Sequence, residues 1–112
     1  MEFDPNKPIY LQIYDSICER VLSDELKADD RIPSVREYGA TIGVNPNTVS
    51  RSYEKLTDAG IIYTKRGLGY FVSPSAKENV LAEARKDFLE KEVPAFLKKA
   101  SLLNIDLNTI LP

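Results

Sequence analysis

A short polar segment holds the side chains with the clearest potential for specific chemistry. It begins with Asn45 directly before Pro46, a pair typical of a helix start, because Asn caps the first free amides and Pro lacks an N–H that would have no partner. Val49, Tyr53 and Leu56 follow at helical spacing and predict one buried stripe. Short polar and cationic side chains occupy the other face of the first turns: Asn47, Thr48, Ser50 and Arg51. Such a face suits entry into a DNA major groove, so we interpret this segment as a recognition helix.

Composition excludes several kinds of catalytic and metal site. The 112 residues include no His and a single Cys, which excludes Ser-His triads, Cys-His pairs and zinc sites built from His or thiolates. Catalysis by a pair of carboxylates stays open on composition alone, but the acidic residues are scattered over predicted helix faces. We therefore expect no enzyme activity, no bound metal and no cofactor.

The single Cys18 lies within a helical pattern and has no partner for a disulfide, so we interpret it as a small buried hydrophobe. A lone Cys and the lack of a signal-like apolar segment favour a reducing, cytoplasmic location. No apolar run approaches the length of about 20 residues that a membrane-spanning helix needs. A chain of this length is expected to form one domain, or one small domain with an appendage.

Charge is unevenly distributed, although the net charge is only −2. Residues 1–30 carry a net charge of −5, residues 31–72 carry +3, and residues 73–112 carry equal numbers of acidic and basic side chains. The cationic stretch includes the proposed recognition helix, as contact with DNA phosphates requires. Its six basic residues are Arg31, Arg36, Arg51, Lys55, Lys65 and Arg66.

Two further helices are predicted before the recognition helix. Residues 8–23 repeat apolar side chains at a spacing of four and predict a central core helix, with Tyr10 and Tyr14 assigned to the core. Residues 34–42 predict a second helix, which begins with a capping box of Ser34 and Glu37. A Gly follows this second helix as a stop signal, and the short turn into the recognition helix is typical of a helix-turn-helix.

Arg36 lies in the first turn of the second predicted helix, and two roles are open for it. It either pairs with Glu37 or another neighbour, or it reaches a phosphate or base edge of DNA. Ser34, by contrast, is expected chiefly to cap the helix.

A β-hairpin is predicted after the recognition helix. Residues 61–65 and 69–72 are β-prone, and Gly67 with a second glycine brackets the tip, where positive φ is needed. Lys65 and Arg66 make this tip basic, as in the wing of a winged helix. A basic tip that is merely solvated is the alternative, but beside a recognition helix we favour contact with DNA.

The segment after the hairpin is predicted to be helical and unusually apolar. It follows a linker at residues 73–75, and Ser75 with Glu78 predicts a second capping box. Pro94 must kink or interrupt the helix, and Asp106 is expected to cap a short final turn. The apolar excess predicts burial against a second copy, the alternative being that the tail folds back on its own domain. The residues assigned to this contact are Leu81, Phe88, Leu89, Val93, Phe96, Leu97 and Leu103.

Several short motifs follow one another in a fixed order over about residues 8–72. They are Pro8-Ile9-Tyr10, Ile32-Pro33-Ser34-Val35-Arg36-Glu37, Gly43-Val44-Asn45-Pro46-Asn47-Thr48-Val49, Arg51, Tyr53, Leu56, Gly60-Ile61, Gly67, Gly69 and Phe71-Val72. Together they resemble the winged helix-turn-helix of the GntR family of bacterial transcription regulators. This spread of motifs is more specific than any one of them alone.

The tail resembles one subfamily of these regulators. Residues 73–112 are too few for the large helical effector domains of many members, or for the aminotransferase-like domain of the MocR type. Pyridoxal phosphate is therefore not implied. A short two-helix tail is similar to the YtrA subfamily, in which it serves dimerisation.

The resemblance also implies roles for individual residues. The helix-two arginine of the family falls on Arg36, and the basic-Gly pair of its wing falls on Arg66 and Gly67. Some members have arginines where this chain has Pro46 and Ser50, so the base-reading set differs and no operator can be transferred. The polar first turn of the family's recognition helix falls on Asn45, Asn47, Thr48 and Ser50.

The predicted fold is mainly α with a small β-hairpin: a winged helix-turn-helix over residues 1–72, a linker at 73–75 and a short helical dimerisation region at 76–112. The expected function is that of a homodimeric, sequence-specific DNA-binding regulator, a repressor at a pseudo-palindromic double-stranded operator. The alternative is a winged-helix protein-interaction module without specific DNA binding. No effector ligand is indicated by the residues. The predicted DNA-binding set is Ser34, Arg36, Asn45, Asn47, Thr48, Ser50, Arg51, Lys65, Arg66 and Gly67.

Overall fold

Helix α1 (Ile9–Leu22) lies at the centre of the core, as its apolar spacing predicts. In the computed structural model, which describes all 112 residues, its Ile13, Ile17 and Val21 are almost fully buried. Cys18 is buried on the same helix, and this burial raises the pKa of its thiol to about 11. The thiol is therefore protonated at neutral pH and unreactive, in line with its prediction as a small hydrophobe.

Helices α2 (Val35–Ile42) and α3 (Pro46–Asp58) form the predicted helix-turn-helix. The hydroxyl of Ser34 accepts a hydrogen bond from the backbone N–H of Glu37 at 3.1 Å, and the Glu37 carboxylate accepts one from the backbone N–H of Ser34 at 3.3 Å. This confirms the predicted capping box. Gly43 ends α2 with φ of 70°, a left-handed conformation that glycine adopts without steric cost.

Helix α3 begins where the Asn-Pro pair predicts. The side chain of Asn45 accepts a hydrogen bond from the backbone N–H of Asn47 at 2.8 Å, and Pro follows as the first helical residue. The predicted stripe of Val49, Tyr53 and Leu56 is almost completely buried. The recognition helix therefore presents its other, polar face outward.

The predicted hairpin is part of a three-stranded antiparallel sheet. Strands β2 (Ile62–Lys65) and β3 (Gly69–Val72) form the hairpin. A strand that the sequence analysis did not predict, β1 (Arg31–Ile32), pairs with the other side of β3, so that β3 is the central strand. Strand β1 has two residues and ends before Pro33, which has no N–H to continue the ladder. It is too short to show an alternating pattern.

Aromatic contacts fix the sheet against α3. The ring of Tyr53 lies edge-on to Tyr70 of β3, with 4.9 Å between the ring centroids. The Tyr53 hydroxyl donates a hydrogen bond to the carbonyl of Pro33 at 2.7 Å, which joins α3 to the residue between β1 and the cap of α2. One buried aromatic residue thus contacts the sheet and the segment that leads into α2.

Helix α4 (Ala76–Asp87) begins inside this core, where Ala76 and Val80 are buried. The chain divides into two compact units, residues 1–80 and residues 81–112. Ser75 and Glu78 do not form the predicted second capping box. The Ser75 hydroxyl instead accepts a hydrogen bond from the side-chain amide of Asn79, which also donates to the carbonyl of Gly60.

The second unit contains the interruption that Pro94 predicts, in a form that the sequence does not show. A π-helical segment, Phe88–Glu92, follows α4 and leads into α5 (Val93–Leu102). A short 3-10 helix, Leu107–Thr109, ends the chain, and Asp106 caps it as expected by accepting from the N–H of Asn108. In the whole structure no helix is both long and apolar enough to cross a membrane.

Candidate nucleic-acid interface

The N-terminal turns of α2 and α3 line an open groove, which we call the α2–α3 groove. Arg36 enters it from α2, while Asn47 and Ser50 enter it from α3. All three side chains are exposed. The structure therefore brings together residues that the sequence analysis assigned to DNA on two different helices. The complete lining is Val35, Arg36, Asn45, Pro46, Asn47 and Ser50.

Arg36 forms no ion pair within the chain. The carboxylate of Glu37, its predicted alternative partner, is occupied by the capping box, and its hydrogen bonds from the side chain and backbone of Ser34 lower its pKa. The Arg36 guanidinium therefore presents its N–H donors to the groove rather than to a neighbouring carboxylate.

Two residues of the predicted DNA-binding set use their side chains to cap helices within the protein. The Ser34 hydroxyl caps α2, and the side-chain oxygen of Asn45 caps α3. A cap fixes the start of each helix, and hence the direction in which the neighbouring groove residues point. Thr48 is half-buried, whereas Asn47 is exposed next to it.

Cations of α3 stack on tyrosines of α1, an arrangement that the sequence analysis missed. The guanidinium carbon of Arg51 lies 3.9 Å from the centroid of the Tyr10 ring, and the ammonium of Lys55 lies 4.6 Å from that of Tyr14. Both distances are within the range of cation–π attraction. The spacing in the sequence is compatible with this arrangement, since Tyr10 and Tyr14 are one helical turn apart, as are Arg51 and Lys55, but only the packing of α1 against α3 brings each cation to its ring.

A buried hydroxyl further fixes α3 on α1. Ser52 is completely buried, and its hydroxyl donates to the carbonyl of Tyr10 at 2.7 Å. Tyr10 therefore contacts α3 through both its backbone and its ring. The prediction that the two tyrosines are core residues holds for Tyr14, which is buried, while Tyr10 is half-buried beneath Arg51.

The wing has the predicted shape at its tip. Gly67 has φ of 79°, a conformation that favours glycine, and Arg66 beside it is exposed. Lys65 lies just below the tip, where its ammonium is 4.8 Å from the ring centroid of Phe71 and 5.8 Å from that of Tyr63. Arg66 is therefore the basic side chain at the tip, and Lys65 lies over the outer aromatic face of the sheet.

Arg31 joins the wing tip to the rest of the domain. Its Nε–H donates to the carbonyl of Leu68 at 3.2 Å, across 37 positions of sequence. The sequence analysis counted Arg31 only as part of the cationic stretch. Its positioning role depends on strand β1, which the sequence did not predict.

The residues assigned to dimerisation are largely exposed in the single chain. Phe88, Leu89 and Phe96 each leave more than half of their surface accessible, at 53%, 63% and 52%. Leu103 is similarly exposed, and Val93 is half-buried. Large apolar side chains in such number are typical of a surface that binds another protein.

Comparison with known proteins identifies the family. The family model described as "Bacterial regulatory proteins, gntR family" matches residues 9–72. The Bacillus subtilis regulator YhcF, described as an uncharacterized HTH-type transcriptional regulator, is 40% identical over 105 residues, which cover 93% of this chain and 84% of YhcF. The HTH-type transcriptional repressor YtrA of Bacillus subtilis is 35% identical over 112 residues, which cover 98% of this chain and 85% of YtrA.

Two solved structures are also similar to the chain. YtrA from Sulfolobus acidocaldarius, described as a GntR-family transcription factor, matches with a TM-score of 0.62 and 35% identity, over 79% of this chain and 93% of that chain. The DNA-binding domain of AraR in complex with operator ORR3 matches with a TM-score of 0.57 and 27% identity, over 65% of this chain and 86% of that chain. These relatives are regulators of transcription rather than enzymes. The chain therefore belongs to the GntR family, is YtrA-like, and is a DNA-binding regulator of transcription.

Proposed function

We propose that the protein is a cytoplasmic, homodimeric repressor that binds a pseudo-palindromic operator. The observation that carries this proposal is the α2–α3 groove, where the unpaired Arg36 lies beside the polar N-terminal turns of the recognition helix. Exposed guanidinium and amide groups are the side chains best suited to the edges of G·C and A·T pairs in the major groove.

In this proposal α3 lies in the major groove with its N-terminus directed at the bases. Asn47 and Ser50 are both exposed on that turn and supply hydrogen bonds to base edges. Arg36 approaches the same base pairs from α2, and its two-pronged guanidinium suits the O6 and N7 atoms of guanine. Both α2 and α3, which the turn at Gly43 connects, therefore contribute to recognition of the base sequence of the operator.

The remaining cations would fix the protein on the sugar-phosphate backbone. Arg51 is held over the Tyr10 ring, so that its guanidinium loses little freedom when it binds a phosphate. Arg66 at the wing tip approaches the adjacent minor groove, and Gly67 beside it has no side chain to obstruct this approach. These contacts supply affinity and register, while the groove supplies sequence preference.

The exposed apolar side chains of the second unit support the proposed dimerisation. Two copies related by a two-fold axis present two recognition helices, which would reach half-sites about one helical turn of DNA apart. A dimer bound there would exclude other proteins from the same DNA. Repression is the outcome we favour, since YtrA of Bacillus subtilis is named as a repressor.

Footprinting on the DNA upstream of the protein's own gene and its neighbours tests this proposal. We expect protection of one site with two inverted half-sites, and loss of most of the affinity when one half-site is scrambled. Protection of a single, asymmetric half-site would contradict the homodimeric operator. Uniform, feeble protection together with a tightly bound protein partner would instead support a winged-helix interaction module.

A further inference from the structure

Leu68 at the tip of the wing is exposed although it is a large apolar residue. It leaves 61% of its surface accessible, and no other large apolar residue between Ile9 and Leu81 is as strongly exposed. Single exposed leucines are common on protein surfaces, so exposure by itself assigns no role. A role has to follow from where Leu68 lies and from how its backbone is held.

Both polar backbone groups of Leu68 have partners within the protein. Its N–H donates to the carbonyl of Lys65 at 2.9 Å, which closes the turn at the tip. Its carbonyl accepts from the Nε–H of Arg31 at 3.2 Å. The backbone at the tip is therefore fixed from two directions, and the side chain is the part of Leu68 that remains to contact another molecule.

The two residues next to Leu68 are both glycines, Gly67 and Gly69. A Cβ added to Gly69 would lie 3.4 Å from the Nε of Arg31, so a side chain there would crowd the group that holds the tip. A Cβ added to Gly67 would meet nothing within 4 Å, which shows that the space around the tip is open. Leu68 thus projects from the tip without a neighbouring side chain on either side.

Arg66 places a cation two residues before Leu68. It is exposed and takes part in none of the ion pairs within the chain. The ammonium of Lys65, by contrast, lies over the ring of Phe71 at 4.8 Å. The tip therefore presents one free cation and one apolar side chain together, on a backbone that is already held in place.

The minor groove of DNA offers a surface to each of these two groups. The acceptor atoms of its floor and its negative potential attract a guanidinium. Its walls are formed by deoxyribose, whose C–H groups an apolar side chain can cover. Proteins that bind the minor groove combine Arg with apolar side chains such as Leu. A tip that bound phosphates alone would gain nothing from a leucine, because apolar surface is stabilised only by contact that removes it from water.

We infer that Leu68 is a DNA-contacting residue of the wing, whose side chain packs into the minor groove beside Arg66 and makes the wing sensitive to the base pairs there. The inference rests on the proposed function, which directs Arg66 to the minor groove, and adds an apolar contact to it. In this groove a G·C pair differs from an A·T pair by the N2 amino group of guanine. An apolar side chain that covers this donor leaves it without a partner, so Leu68 should favour A·T pairs.

Substitution of Leu68 in the full-length protein tests the contact. We expect Leu68→Ala to weaken binding to the footprinted operator duplex by about five- to tenfold, because apolar contact is lost. The slope of log affinity against log salt should not change, since no phosphate contact is removed, whereas Arg66→Ala should reduce its magnitude by about 0.9. Leu111→Ala is the matched control: it makes the same change at a residue that is 60% exposed and lies outside the winged domain. Thermal unfolding establishes that each variant is folded.

A change in the DNA tests whether the contact lies in the minor groove. Operator duplexes are prepared with A·T, G·C or inosine·C pairs at the positions that the wing protects in the footprint. Inosine keeps the major-groove edge of guanine but lacks the N2 amino group. We expect wild type to bind the G·C duplex several-fold more weakly than the other two, and Leu68→Ala to bind all three about equally.

Three results would contradict the inference. Unchanged operator affinity in Leu68→Ala, with a loss in Arg66→Ala, would mean that the wing binds through its cation alone. Equal sensitivity of wild type and Leu68→Ala to the N2 amino group would place Leu68 outside the minor groove. Loss of a protein partner in Leu68→Ala, with operator affinity unchanged, would assign the residue to a protein contact. A wild type that binds no duplex specifically would instead contradict the proposed function itself.

Discussion

Arg36 combines exposure, lack of an internal ion pair and a position in the α2–α3 groove. If it reads a base, Arg36→Ala should weaken operator binding by about 1–3 kcal/mol and relax the preference at that base pair. The dissociation constants of operator and scrambled duplex, measured for wild type and variant, give both quantities. Arg20→Ala serves as the control. It removes a cation of α1 that is paired with Glu25.

The outcome for Arg36 distinguishes two roles. An equal loss of affinity on operator and scrambled DNA would show that the residue binds a phosphate instead of a base. No loss on either duplex would remove Arg36 from the interface.

Tyr10 is predicted to act on DNA through Arg51. Because the ring holds the Arg51 guanidinium in place, Tyr10→Leu should weaken DNA binding several-fold, while Tyr10→Phe, which keeps the ring, should bind like the wild type. Fluorescence anisotropy with labelled operator measures both variants. Equal loss in the Phe variant would mean that the hydroxyl, and not the stacked ring, is the group that matters.

Glu37 gives the domain a predictable response to acid. Its pKa is lowered below 4.5 by hydrogen bonds from Ser34, so its charged form stabilises the folded state above that value. This contribution is lost as the pH falls through the lowered pKa of the folded protein. Urea unfolding at neutral pH and near pH 3 should therefore show wild type to be more stable than Glu37→Gln only at neutral pH. A difference that does not change with pH would contradict this account.

At the scale of elements, the wing depends on a hydrogen bond between distant parts of the chain. Arg31 of β1 donates to the carbonyl of Leu68 at the tip. We expect Arg31→Lys, which keeps the charge but removes the Nε–H donor, to weaken DNA binding and to increase amide hydrogen exchange in residues 65–69. Lys27→Ala, a change in the connector before β1, is the control. Unchanged exchange in the wing would show that this hydrogen bond does not position it.

The two ends of α2 and the start of α3 were predictable because individual residue types determine them, whereas the capping box predicted for α4 does not form. Ser34 and Asn45 cap their helices through local hydrogen bonds, and Gly43 supplies the left-handed residue that ends α2. Strand β1 was not predictable, since it exists only through pairing with β3, far along the chain. The π-helical segment was predictable only as an interruption at Pro94, because a kink, a break and a π turn all satisfy the steric demand of proline.

In the candidate interface, too, local features were predictable and contacts between distant parts of the chain were not. The polar turn of α3 and the basic tip of the wing follow from composition and spacing. The stacking of Arg51 and Lys55 on two tyrosines depends on how α1 packs against α3, which no local pattern specifies. The contact of Arg31 with the wing was not predicted for a similar reason, since its partner, the carbonyl of Leu68, lies 37 positions away.

For the whole molecule, charge and apolar surface are separated along the sequence. Residues 31–72 carry the net positive charge, and residues 81–112 carry all of the strongly exposed Phe and Leu side chains except Leu68. DNA binding and the proposed self-association therefore involve different parts of one short chain. Such an arrangement predicts that binding to an operator with two half-sites depends steeply on salt and also on protein concentration.

The most direct test of DNA-specific regulation is binding of the wild-type protein to its upstream fragment and to a scrambled duplex, at about 50 and about 200 mM salt. Each phosphate contact should add about −0.9 to the slope of log affinity against log salt. We predict tight binding to one fragment, a steep loss of affinity with salt, and much weaker binding to the scrambled duplex. Equally feeble binding to both duplexes, with little effect of salt, would contradict the account.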